Sequence, residues 1–115
     1  MVTNDVTDDS VRGEGSVDDD GRRHGAWQFV HRNGRLQARG SYEHGRLDGY
    51  WEWFRPNGQR LQSGSFELDV RTGLWRRWYS TGQLLDEGRY AAGRRTGEWC
   101  TFDHAGIVRQ RKHHG

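Results

Sequence analysis

The chain has little cysteine, lysine or apolar sequence, and each shortage excludes something. Cys100 is the only cysteine among 115 residues, so no internal disulfide can form. No window approaches the roughly 18 apolar residues of a membrane span. The opening "MVTNDVTDDS" lacks both the basic and the apolar region of a secretory signal. Together these features predict a cytoplasmic protein. The hydrophobic fraction is 31%, well below the ~45–50% usual for globular chains, which argues against a thick two-layer core. Lysine occurs once against seventeen arginines, and the arginines are scattered rather than clustered. Helix-forming runs of Ala, Leu, Glu and Lys are also missing.

Glycine and aromatic residues are abundant instead: seventeen glycines and fourteen Trp, Tyr or Phe. That pairing favours turns and strands. Charge is divided unevenly. Residues 1–21 carry seven acids against Arg12, a net charge of −6, which leaves +8 on residues 22–115. The acidic head is expected to be disordered. Its triple aspartate, Asp18 to Asp20, reads as a solvated tail rather than a cation site. The second segment, residues 22–115, is expected to be the folded domain.

A 24-residue period runs through that domain. Gly25, Gly49, Gly73 and Gly97 keep it, as do Trp27, Trp51, Trp75 and Trp99. Gly34, Gly58, Gly82 and Gly106 close the turn segments, and Val30, Phe54, Trp78 and Phe102 form an apolar column. Gly40, Gly64 and Gly88 each precede an aromatic by two residues: Tyr42, Phe66 and Tyr90. Such periods signal stacked repeats. Each copy reads as one β-hairpin, which predicts an all-β, single-layer antiparallel meander of about eight short strands.

Two hairpin registers compete. A three-residue turn ending in Gly fits all four copies and suits Pro56 at the first central position. It sets Val30 against Leu36, Trp78 against Leu84, Phe102 against Val108, and Arg76 against Asp86. A two-residue turn instead places Trp27, Trp51 and Trp75 opposite Gly40, Gly64 and Gly88, with each glycine as a floor for an indole. A bulge beyond a three-residue turn would restore that pairing. Gly45, Asp69 and Gly93 mark the second turns, where positive φ is tolerated. Equivalent tryptophans then lie about 10 Å apart across two strands, beyond the ~7 Å of ring contact. Tyr42, Phe66 and Tyr90 are the expected spacers.

The segments "GAWQFVHRNGRLQARGSYEHG", "GYWEWFRPNGQRLQSGSFELD" and "GLWRRWYSTGQLLDEGRYAAG", with the shorter "GEWCTFDHAG", resemble MORN repeats. They are closest to the bacterial variant found in YwqK-family antitoxins. A degraded half-copy, "GEGSVDDDGRRHG", precedes them. The resemblance implies MORN-type hairpins and a protein that neutralises a toxin by direct contact. It also implies an alternative, attachment to acidic lipid or a membrane surface as a scaffold.

Columns that vary between repeats point to a partner-facing patch. Phe29, Trp53 and Arg77 share one such column, and Tyr50 belongs to another. These four are the candidate partner-binding residues, since Trp, Tyr and Arg dominate interface hot spots. No catalytic, cofactor or metal site is expected. No nucleophile has an orienting base nearby, and the adjacent His113 and His114 would point to opposite faces of a strand. Cys100 and His104 are separated by a change of orientation at the turn. Arg109, Arg111 and Lys112 suit a charged sheet edge. A protein partner is expected first, nucleic acid last, and self-association through edge strands is open.

Overall fold

The computed structural model describes residues 2–8 and 11–115, with side chains from Arg12 onward. It contains ten strands in one antiparallel sheet whose spatial order follows the sequence. They are β1 (Val2–Asp8), β2 (Val11–Val17), β3 (Arg23–His31), β4 (Leu36–Glu43) and β5 (Arg46–Phe54). β6 (Arg60–Glu67), β7 (Val70–Trp78), β8 (Leu84–Ala91), β9 (Arg94–Phe102) and β10 (Val108–His114) complete it. The molecule measures 46 × 33 × 17 Å, and its thinness is that of a single layer with side chains on both faces.

The eight strands from β3 onward are the expected meander. The acidic segment departs from expectation in that β2 pairs with β3 along Val11–Val17. The reason lies in its glycines: Gly13 sits beneath Phe29 and Gly15 beneath Trp27, so β2 provides a floor for two core rings. Asp9 lies outside the described residues.

Both hairpin registers predicted from the sequence coexist. At the loops Gly34, Gly58, Gly82 and Gly106 each donate to the carbonyl three residues back, at 2.8–3.0 Å, closing three-residue turns. Val30 faces Leu36, Trp78 faces Leu84 and Phe102 faces Val108. One residue further from the loop a bulge shifts each ladder, and Trp27, Trp51 and Trp75 come opposite Gly40, Gly64 and Gly88. The shift also corrects one expected pair. Arg76 faces Glu87, and Asp86 falls to Arg77. The second turns are two-residue connections with positive φ at both positions, 46° and 88° at His44 and Gly45, matching the right-handed strand twist.

Each indole of the repeated column, Trp27, Trp51, Trp75 and Trp99, lies across a glycine of the strand before its own hairpin. Trp51 covers Gly40, Trp75 covers Gly64 and Trp99 covers Gly88, each time reaching back to the preceding hairpin. A Cβ on those glycines would meet ring carbons at 2.0–2.1 Å, so only hydrogen fits. The indole N–H groups then donate to backbone carbonyls of Ser16, Ser41, Ser65 and Arg89 at 2.7–3.1 Å. Trp27 and Trp51 are 1% and 2% exposed, a depth of burial rare for tryptophan in any fold.

Between the indoles stand the expected spacers. Tyr42 meets Trp27 and Trp51 edge-on, at centroid distances of 6.0 and 5.2 Å. Tyr90 does the same between Trp75 and Trp99, at 5.8 and 5.3 Å. Phe66 contacts Trp75 at 5.1 Å and Trp53 at 6.1 Å. The core is therefore a one-dimensional row of alternating flat and upright rings along one face, called the front face below.

Candidate interaction surface

Side chains alternate along a strand, so parity assigns each to the front or the back. Phe29, Trp53 and Arg77 hold equivalent front-face positions two residues after an indole. Tyr50 has the opposite parity and lies on the back, 56% exposed, beside Gln28, Arg39 and Glu52. The four candidate residues therefore do not form one patch. Three share a row, and the fourth is on the reverse face.

That row changes character across the sheet. Phe29 faces Ala38, and Ala38 faces Trp53. Trp53 faces Gln62, Gln62 faces Arg77, Arg77 faces Asp86 and Asp86 faces Thr101. Its first half is apolar: Phe29 is 8% exposed, and half-buried Trp53 lies 5.8 Å from both Trp51 and Trp75. These two side chains fill the core row as well as facing outward. Its second half is ionic. Arg77 makes a two-pronged contact with Asp86, Nε to Oδ1 at 3.0 Å and Nη2 to Oδ2 at 2.5 Å. The hydrogen bond to Asp86 outweighs burial and raises the Arg77 pKa above its ordinary value.

Beside this ion pair the front face holds a hollow of about 140 Å³, walled by Arg71, Arg77, Asp86 and Arg95 against Trp75, Tyr90 and Trp99. Arg71 stacks its guanidinium 4.8 Å from the Trp75 centroid and donates from Nη1 to the Tyr90 hydroxyl at 3.2 Å. Arg95 stacks 4.3 Å from the Trp99 centroid. Burial pushes the Tyr90 phenol up, but hydrogen bonds and charge from Arg95 and Arg71 outweigh it, and its pKa falls below the ordinary value. Sequence reading treated Tyr90 only as a spacer and missed Arg71 and Arg95. Their signal was present, since Arg23, Leu47, Arg71 and Arg95 keep the 24-residue period.

The same arrangement recurs at the first repeat, where Arg23 lies 4.8 Å from the Trp27 centroid and donates to Tyr42 at 3.2 Å. The middle repeat replaces both partners, with Leu47 and Phe66 at the equivalent positions. The back face carries another pattern, with ion pairs Arg39–Glu52 and Arg76–Glu87 at 2.8 and 2.9 Å. These exposed pairs are worth little individually. Cys100 is half-buried there; burial and the neighbouring Glu98 raise its thiol pKa, which keeps it a poor nucleophile.

His24, Glu43 and His44 bring possible ligand atoms within 4.8 Å of one another, a grouping the sequence reading did not single out. Each imidazole already has a fold-building contact. His24 Nδ1 accepts the His44 backbone N–H at 3.0 Å, and His44 Nδ1 meets Asp18 Oδ2 at 2.6 Å. The bond to His24 places that ring's proton on Nε2, the atom an ion would need. Asp18 in turn caps its own turn by accepting from the Asp20 and Arg22 amides. The triple aspartate is thus a structured corner rather than a solvated tail. Arg109, Arg111 and Lys112 lie along β10, at the edge of the sheet.

The MORN repeat variant model matches residues 23–44, 47–67 and 71–92. These matches span more than half the chain and coincide with the hairpins described above, so the protein belongs to the MORN repeat variant family. A MORN chain of this kind is a repeat module suited to binding. Comparison with curated proteins gives no match. Among solved structures, a chain from "Crystal structure of GtfA/B complex bound to UDP and GlcNAc" aligns at a TM-score of 0.40 and 20% identity. The alignment covers 75% of this protein and 22% of that chain, and at this score it adds nothing to the fold or the function.

Proposed function

We propose that the protein is a non-enzymatic protein-binding module, acting in the cytoplasm as an antitoxin or immunity-type protein that neutralises a toxin by direct contact. The observation carrying this reading is the front face. It presents half-buried Trp53 and Phe66 beside exposed Arg71, Arg77 and Arg95 on a rigid sheet. Aromatic anchors beside arginines, held in place before a partner arrives, are the composition of interface hot spots. The toxin-directed part rests on the resemblance of the repeats to YwqK-family antitoxins.

Catalysis is disfavoured by the lining of the front hollow. It contains guanidiniums, one carboxylate already paired with Arg77, an amide, aromatic rings and the Tyr90 phenol, whose hydroxyl is held by Arg71 rather than by a base. The test is affinity capture from the native host, followed by reconstitution with the purified partner. The variant Trp53→Phe/Arg77→Gln/Asp86→Asn trims the front row while keeping a neutral hydrogen-bonded pair, and Tyr50→Ser alters the back. Loss of a stoichiometric complex in the front variant alone, measured under conditions where both variants are fully folded, supports the reading. Equal complex formation by both variants contradicts it.

A further inference from the structure

We infer that Arg71, Tyr90 and Arg95 form a receptor for a carboxylate carried by an acidic, apolar-flanked peptide segment of the partner. This inference names the chemistry of the partner and rests on the protein-binding reading above.

The argument begins with charge. Among the described residues, no carboxylate lies within ion-pair reach of Arg71 or Arg95. The nearest acid across the hollow, Asp86, is 5% exposed and already bound on both oxygens by Arg77. The hollow therefore keeps two positive charges without a counter-charge. The lowered Tyr90 pKa is a second mark of the same excess.

Preorganisation is the next point. Each guanidinium is stacked on a core indole, and Arg71 is also tied to the Tyr90 hydroxyl. Two long side chains that normally lose rotamer freedom on binding have largely lost it already. Arg95 pairs directly across from Tyr90 on β9, and Arg71 stands on its other side, so the two forks flank one hydroxyl. A carboxylate between them can accept charge-assisted hydrogen bonds from both guanidiniums.

Space and surroundings choose the ligand. A volume of about 140 Å³ holds a side-chain carboxyl and its methylene. Phe66 faces Arg71 across the β6–β7 ladder, so apolar ground starts one strand away from the cation. An extended segment with an acidic residue beside an apolar one matches this junction. The middle repeat supplies an internal contrast: Leu47 and Phe66 fill the equivalent positions and create no such receptor.

The contrast also supplies a variant that folds. Arg71→Leu/Tyr90→Phe copies the Leu47/Phe66 pair already present one repeat earlier, and Arg95→Gln removes the second fork. The probe is a fluorescein-labelled peptide of alternating Glu and Leu, followed by anisotropy against the full chain. Expected is saturable binding that falls at least tenfold in Arg71→Leu/Tyr90→Phe/Arg95→Gln. It should change less than twofold in Arg109→Gln/Arg111→Gln, which removes the same two charges from the β10 edge, and disappear when Gln replaces Glu in the peptide. Equal weakening in both variants would assign binding to diffuse charge and overturn the inference. Stronger binding of inorganic phosphate, or of vesicles containing anionic lipid, at the same residues would also overturn it. If the hollow variant retains full affinity for the captured partner, this inference fails while the protein-binding reading stands.

Discussion

Trp51 lies across Gly40 so closely that a Cβ on the glycine would meet the indole at 2.1 Å. The ring belongs to one hairpin and the floor to the one before, so this contact is the joint between repeats. Its recurrence at Gly64 with Trp75 and at Gly88 with Trp99 makes the array one continuous row.

Gly64→Ala should therefore lower stability by about 1–3 kcal/mol, the range for overpacking a filled core. Gly73→Ala provides the comparison. Nothing lies within 4 Å of that position, but its φ is +69°, so the cost is backbone strain alone, on the order of 1 kcal/mol. Urea unfolding of both variants checks the difference.

Leu68 occupies the first position of a two-residue turn at φ +46°, and its side chain is an exposed large hydrophobe. Little packing is lost when it is removed. Leu68→Gly relieves the strain at some cost in unfolded-chain entropy and should raise stability by roughly 0.5–1 kcal/mol. Differential scanning calorimetry would record this as a higher Tm. An unchanged or lower Tm would mean that the Leu68 side chain packs more than its exposure implies.

Asp86 is buried, and Arg77 binds both of its carboxylate oxygens. Arg77→Ala leaves a buried carboxylate unsatisfied and should cost about 1–3 kcal/mol. Adding Asp86→Asn should recover part of that loss. A double-mutant cycle measures the coupling, which additive single losses would disprove.

Acid should weaken the first corner of the sheet. The Asp18 carboxyl is held well below the usual carboxylate range, chiefly by the hydrogen bond from His44, against burial, and then by the Arg22 and Asp20 amides. A carboxyl depressed in the folded state stabilises at pH values above its unfolded value of about 4 and loses that contribution as pH falls through the folded value. The urea midpoint of the wild type should decline below about pH 4, and Asp18→Asn should decline less steeply. Parallel curves would remove Asp18 from the acid response.

The repeat, the strand meander and the three-residue turns were legible because glycine and tryptophan mark backbone geometry that few other residues tolerate. Val30 facing Leu36 and Trp27 facing Gly40 were both foreseeable, and a bulge reconciles them. Which glycine each ring covers was not legible, because covering is set by side-chain lean across the sheet rather than by pairing. The placement of the candidate residues was half legible. Column variation grouped Phe29, Trp53 and Arg77, which share one front-face row, but it added Tyr50 across a change of face that strand alternation forbids. Arg71 and Arg95 escaped notice because a recurring column reads as structure, and here the caps over Trp75 and Trp99 also carry the charge of the hollow.

The most direct test of the account uses the six indole N–H signals in a ¹H–¹⁵N NMR spectrum, recorded on addition of the captured partner. The tryptophans of the chain are distributed between the faces, with Trp53, Trp75 and Trp99 at the front near the hollow and Trp78 at the back by alternation. Front-face engagement predicts large shifts for Trp53, Trp75 and Trp99 and a still Trp78. A shift confined to Trp78, with the three front signals unmoved, would contradict it.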